Sequence, residues 1–103
     1  MKEVSNISYV VDIDGTICIT KDGNYFSSKP IKSRIEKLNK LYDEGNEIIY
    51  HTARGYKSGI NWREHTERQL KSWGVKYTKL FLKKPFGILY IGDNYINDKD
   101  FFK

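Results

Sequence analysis

The chain has 103 residues, 39% of them hydrophobic and 30% charged, with eight glycines, two prolines and a formal net charge of +5. That length holds one domain with one core, residues 1–103, and buries roughly two-thirds of the surface the unfolded chain exposes, while the composition excludes disordered and fibrous classes. The single cysteine, Cys18, excludes an internal disulfide. The first residues lack the apolar run of a signal peptide, and no stretch reaches the roughly 20 apolar residues of a membrane span, so a cytoplasmic protein with no membrane role is expected.

In chain order, residues 7–13 form a short apolar run rich in β-branched side chains, followed closely by Gly15. This pattern predicts a buried strand. Within residues 17–29, Lys21-Asp22-Gly23-Asn24 is a turn signal and suggests a hairpin or flap. Pro30 is expected to open a helix, where its missing N–H costs nothing. Ile31, Ile35, Leu38 and Leu41 supply that helix with one apolar stripe, and Gly45-Asn46 ends it. Residues 47–51 read as a second strand. A second helix is expected over about residues 61–73, with Trp62, Thr66, Gln69/Leu70 and Trp73 on one side and Gly74 as its stop. Residues 77–82 and 88–91 read as a third and a fourth strand. Only about five residues, 83–87, separate those two runs, whereas a parallel crossover takes a dozen or more. Either residues 77–82 are a short edge piece or a simple strand order fails there. Strands alternating with helices imply an α/β fold with a mostly parallel sheet covered on both faces.

The charge is uneven: residues 54–84 carry nine basic and two acidic side chains, a net +7. Such a field attracts anions, phosphorylated sugars and nucleic acid alike, or else forms a solvated helix face.

The candidate functional groups gather at the carboxyl ends of the expected strands, where parallel sheets bind ligands. Asp12 and Asp14 close the first strand, Thr52 the second and Asp93 the fourth. Three carboxylates converging there would repel one another unless a cation lay between them. An all-oxygen ligand set suits magnesium, which takes one or two carboxylates, waters and a substrate phosphate. Asp12 and Asp14 are two apart, so an extended backbone would aim both to one side. Gly15 then lets the chain turn with no Cβ in the way of a phosphate. An aspartate can attack phosphorus to give an aspartyl-phosphate, and a neighbouring carboxyl can serve as acid and then base. Arg54 can either contact phosphate or brace its loop. His51 and His65 lack a metal-ligand pattern, and Cys18 has no partner that would activate it.

These segments resemble the haloacid-dehalogenase-type phosphatase superfamily. Asp12-Ile13-Asp14-Gly15-Thr16 looks like its first motif, Ile48-Ile49-Tyr50-His51-Thr52-Ala53-Arg54-Gly55 like its second, Lys83-Lys84-Pro85 like its third, and Ile91-Gly92-Asp93 with Asp98 like its fourth. The four come in the family's order and span about residues 7–102. The stretch from Asn61 to Tyr77 further resembles small capless members associated with capsule or polysaccharide biosynthesis. The resemblance implies a three-layer Rossmann-like core, capless and truncated, since the chain ends soon after Asp98. It implies Asp12 as nucleophile and Asp14 as acid/base. Thr52, Ala53, Arg54 and Lys84 would lie on the substrate phosphate, and Mg2+ would be held by Asp12, Asp93 and the backbone carbonyl of Asp14. The expected reaction is hydrolysis of a small phosphorylated substrate such as a sugar phosphate. A polynucleotide end phosphatase and a non-catalytic phosphate-binding module are the alternatives. Relatives without caps often form homo-oligomers, which is an expectation here too.

Overall fold

The computed structural model describes residues 7–55, 58–82 and 101–102. The fourth expected strand and the candidates Lys84, Asp93 and Asp98 lie outside the described residues. Three strands, β1 (Ser8–Asp12), β4 (Glu47–His51) and β5 (Lys79–Phe81), form a parallel sheet in the order β1-β4-β5. Between β1 and β4 lie a two-stranded antiparallel hairpin, β2 (Cys18–Ile19) with β3 (Lys29–Pro30), and helix α1 (Lys32–Asp43). Helix α2 (Arg63–Ser72) joins β4 to β5. The protein is thus a small α/β fold. No described helix is long and apolar enough to cross a membrane.

Register fixes which side chains share a face. Tyr9 lies beside Ile48, Val11 beside Tyr50, and Tyr50 beside Leu80. This face is the core: Ile48, Tyr50 and Leu80 cluster with Ile35 and Leu38 of α1 and Leu70 of α2, and Tyr9 and Val11 pack against them. Both helices therefore cover one side. The strand order explains it, because two successive right-handed crossovers stepping in one direction put both helices on the same face. The opposite face carries Val10, Ile49 and Phe81, with Val10 45% and Phe81 41% exposed. Among the described residues the molecule has two layers, where the sequence suggests cover on both faces.

The helices end as their glycines suggest. Asn46 N–H donates to the Leu41 carbonyl and Gly45 N–H to that of Tyr42. Val75 and Gly74 repeat the pattern on Leu70 and Lys71. Each is a paired bond that satisfies carbonyls left open by the last turn. Asn39 of α1 ties the two helices, donating to the Gly74 carbonyl at 2.7 Å and accepting from Lys76 N–H at 2.9 Å. The start of α1 differs from expectation. Pro30 pairs with Cys18 in the hairpin, and the helix begins at Lys32. Ile31 N–H is bound by the Ile17 carbonyl at 2.8 Å, so a long-range contact holds the residues where a first helical turn was expected. β5 is three residues long and lies at the edge of the described sheet; residues 83–91, on which the choice between an edge piece and another strand order also turns, lie outside the described residues.

Candidate active site

β1 and β4 end side by side, with Asp12 opposite His51. Past β1 the chain tightens into a turn in which Thr16 and Ile17 both donate to the Ile13 carbonyl, and the Ile13 side chain fills the core at 0% exposure. Gly15 adopts φ +86°, a left-handed conformation that glycine takes without steric cost, with no atom within 4 Å of where a Cβ would stand. This turn brings Asp12 and Asp14 to the wall of one open cavity of about 350 Å³. Thr20, Gly23 and Tyr25 of the hairpin complete its lining, with Thr52, Ala53 and Arg54 from the loop after β4.

The two carboxylates live in different surroundings. Asp12 has 60% of its side chain exposed, and its Oδ1 lies 3.1 Å from His51 Nε2. Asp14 is held on all sides. Arg54 donates to it twice, Nε to Oδ2 at 3.1 Å and a terminal nitrogen to Oδ1 at 2.8 Å. Thr20 Oγ1 donates to Oδ1 at 2.7 Å and Thr52 Oγ1 to Oδ2 at 3.0 Å. Burial pushes the Asp14 pKa up, but the bonds from Arg54, Thr20 and Thr52 outweigh it and hold the carboxyl below its ordinary range. Asp14 is therefore a carboxylate in the resting site.

Arg54 is the largest fully buried side chain among the described residues. Its second terminal nitrogen donates to Thr66 Oγ1 at 3.2 Å and Gln69 Oε1 at 2.7 Å, and its guanidinium lies 4.6 Å from the centre of the Tyr25 ring. Of the two roles the sequence leaves open, bracing is the one the geometry displays: its bonds run to Asp14 and α2. Thr52 does two things at once, donating to Asp14 and accepting from Arg54 N–H at 3.2 Å. Cys18 is wholly buried, and burial raises its thiol pKa, which keeps it protonated and unreactive.

The loop beyond Arg54 depends on Gly55. A Cβ there would stand 2.1 Å from the Ile60 carbonyl oxygen and 2.9 Å from Trp62 Cδ1, and its φ is +84°. Gly55→Ala should therefore destabilise the protein by about 2 kcal/mol or more, as left-handed strain adds to a backbone clash. Urea unfolding checks this; a midpoint unchanged from wild type would contradict the loop geometry.

Sequence reasoning missed Thr20, Thr66, Gln69 and the place of His51 against Asp12. Thr66 and Gln69 carried a usable signal: two polar residues three apart on the inward side of α2 need a buried partner, and Arg54 is that partner. Thr20 carried none, because only the hairpin's fold brings it to Asp14.

Among the described residues no group of three or more His, Cys, Asp or Glu side chains gathers as a metal site; Asp93, the third carboxylate of the expected set, lies outside them. The described donors still fit a magnesium ion. Asp12 offers an exposed carboxylate in an open cavity, and magnesium needs only one or two carboxylates beside waters and phosphate. The Asp14 carboxylate, engaged by Arg54, Thr20, Thr52 and the Cys18 thiol, is not suited to ligation.

A scan against protein-family models finds none that matches, and a search of curated proteins finds no match. Among solved structures, the chain is similar to a crystal structure of a target protein from Vibrio cholerae, at 25% identity and a TM-score of 0.78 over 93% of this chain and 87% of that one.

Proposed function

We propose that the chain is a magnesium-dependent phosphomonoester hydrolase of haloacid-dehalogenase type, working through an aspartyl-phosphate on Asp12. The observation that carries this reading is the unequal treatment of two carboxylates in one cavity at the ends of adjacent parallel strands. Asp12 is presented to solvent, as a nucleophile must be, while Asp14 is locked beside it. The four ordered motifs support the same reading and extend it to a three-layer core and to Lys84 and Asp93.

In this mechanism Asp12 attacks phosphorus in line, and the bond to the leaving oxygen breaks. Asp14 passes a proton to the departing alkoxide. Because Asp14 rests ionised, that proton comes from a substrate arriving as its phosphate monoanion. Asp14 then takes a proton from the water that attacks the aspartyl-phosphate, which frees Asp12, and passes that proton to the departing phosphate, so that Asp14 is again a carboxylate. Thr52 and Ala53 line the cavity on the phosphoryl side, with Lys84 neutralising charge by the family pattern. Arg54, at the cavity wall, positions Asp14 through its two hydrogen bonds. Magnesium, held by Asp12, Asp93 and the Asp14 carbonyl, would offset the negative charge that nucleophile and phosphate share.

The basic stretch gives less support to a polynucleotide substrate. Arg54 is buried on Asp14, Arg63 pairs with Glu67, Arg68 with Glu64, and Lys76 with Asp43. Four of the nine basic side chains of that stretch are thus already engaged with carboxylates, and a small phosphorylated metabolite is the better fit.

The test is phosphate release from a panel of sugar phosphates, other small phosphomonoesters and a 5′-phosphorylated oligonucleotide, with magnesium and with chelator. Release from small esters, lost in chelator and insensitive to moderate salt, is expected. Turnover confined to the oligonucleotide and falling steeply with salt would move the assignment to nucleic acid. No turnover despite tight binding of magnesium with a phosphate mimic would make the domain a binding module.

A further inference from the structure

A chain of rings runs from the cavity wall to the surface. Tyr25, which lines the cavity and carries Arg54 over its face, meets Trp62 edge-on at 5.0 Å between ring centres. Trp62 meets Phe26 at 5.3 Å, and Phe26 meets His65 at 4.7 Å. Phe26, at the outer end, is 75% exposed, more than any other large apolar side chain among the described residues. Such exposure adds nothing to the core. Yet its ring rests edge-on against Trp62 and His65, which also meet each other at 5.2 Å, and its segment is fixed to α2 by Gln69 Nε2 and His65 Nε2 at the Tyr25 carbonyl. The result is a pre-set apolar surface one residue beyond the cavity lining.

Resting on the phosphatase reading, we propose that Phe26 and Trp62 form a leaving-group subsite for phosphomonoesters whose alcohol carries a ring with an apolar face. Two features favour a small molecule. Tyr25 lines the cavity and meets Trp62, so a ring on this surface can belong to the ester whose phosphate meets Asp12. The apolar area is also small: Phe26 and Ile60, the latter 57% exposed, fall well below the roughly 800 Å² per partner of a stable protein interface. Both an aryl ring and the C–H face of a sugar ring present the required chemistry.

Calorimetric titration in magnesium buffer with three phosphonates separates affinity from turnover, because the C–P bond is not hydrolysed. Ethylphosphonate serves as the small reference, with benzylphosphonate and cyclohexylmethylphosphonate as the aryl and saturated rings. Wild type should bind one or both ring ligands about 3- to 10-fold more tightly than ethylphosphonate, the range of a single aromatic contact. Phe26→Ala, at an exposed position, should lose that preference and keep its affinity for ethylphosphonate. A preference for benzyl assigns an aryl alcohol, and one for cyclohexylmethyl a sugar-like ring. Equal binding of all three by wild type, or a preference that survives Phe26→Ala, overturns the subsite while leaving any measured phosphatase activity in place. Ring preference without turnover of any ester would keep the subsite and remove the phosphatase reading.

Discussion

Asp12→Asn should abolish phosphate release while leaving the fold intact. Asparagine matches aspartate in shape but has no anionic oxygen to attack phosphorus. Loss of a covalent nucleophile costs roughly three orders of magnitude or more in kcat. The stability of the variant should stay within about 0.5 kcal/mol of wild type, the usual range for surface substitutions, because the Asp12 side chain is 60% exposed and, among the described residues, its ion-pair geometry is with His51. Phosphate release and urea unfolding, measured on the same preparation, check both halves. A variant that retains wild-type turnover would remove Asp12 from the chemistry. One that unfolds would make Asp12 a structural residue.

Arg54→Met should do the reverse, acting first on stability. The side chain is fully buried and holds Asp14 on one end and Thr66 and Gln69 on the other. Methionine fills part of the volume but leaves the Asp14 carboxylate without its counter-charge and two inward-facing oxygens of α2 without their donor. Removing one partner of a buried ion pair costs about 3 kcal/mol or more, because the remaining charge stays desolvated. Arg54→Lys should recover at most about 1 kcal/mol, since an ammonium cannot reproduce the fork that spans Asp14 and α2. Urea midpoints within about 0.5 kcal/mol of wild type for Arg54→Met would mean that the clamp contributes little. The two substitutions thus separate a residue exposed for chemistry from one buried to position its neighbour.

What could be read in the sequence was mostly local. β4 is found where its apolar run lies, and Gly45 and Gly74 stop the helices because the geometry of a helix end depends on a few adjacent residues. The turn at Lys21-Asp22-Gly23-Asn24 forms with Asn24 N–H on the Lys21 carbonyl. The start of α1 was misread because Pro30 answers to Cys18, twelve residues earlier, a pairing that no local propensity contains. Among the described residues both helices lie on one side of the sheet, which follows from the order of the strands, something periodicity does not encode. At the site, motif spacing brought out Asp12, Asp14, Thr52, Ala53 and Arg54, and the fold gathers these five around one cavity. The direction in which Arg54 points was hidden, since it depends on Thr66 and Gln69 on the next helix. Lys84 and Asp93 rest on the resemblance.

The central claim is that Asp12 becomes covalently phosphorylated. Acid quench of the protein during turnover of its best ester, followed by peptide mass spectrometry, tests it directly. The account predicts one phosphoryl group on the peptide containing Asp12, removed by hydroxylamine and absent from Asp12→Asn. Robust turnover with no phosphoryl group on that peptide, or with the group on another side chain, would contradict it.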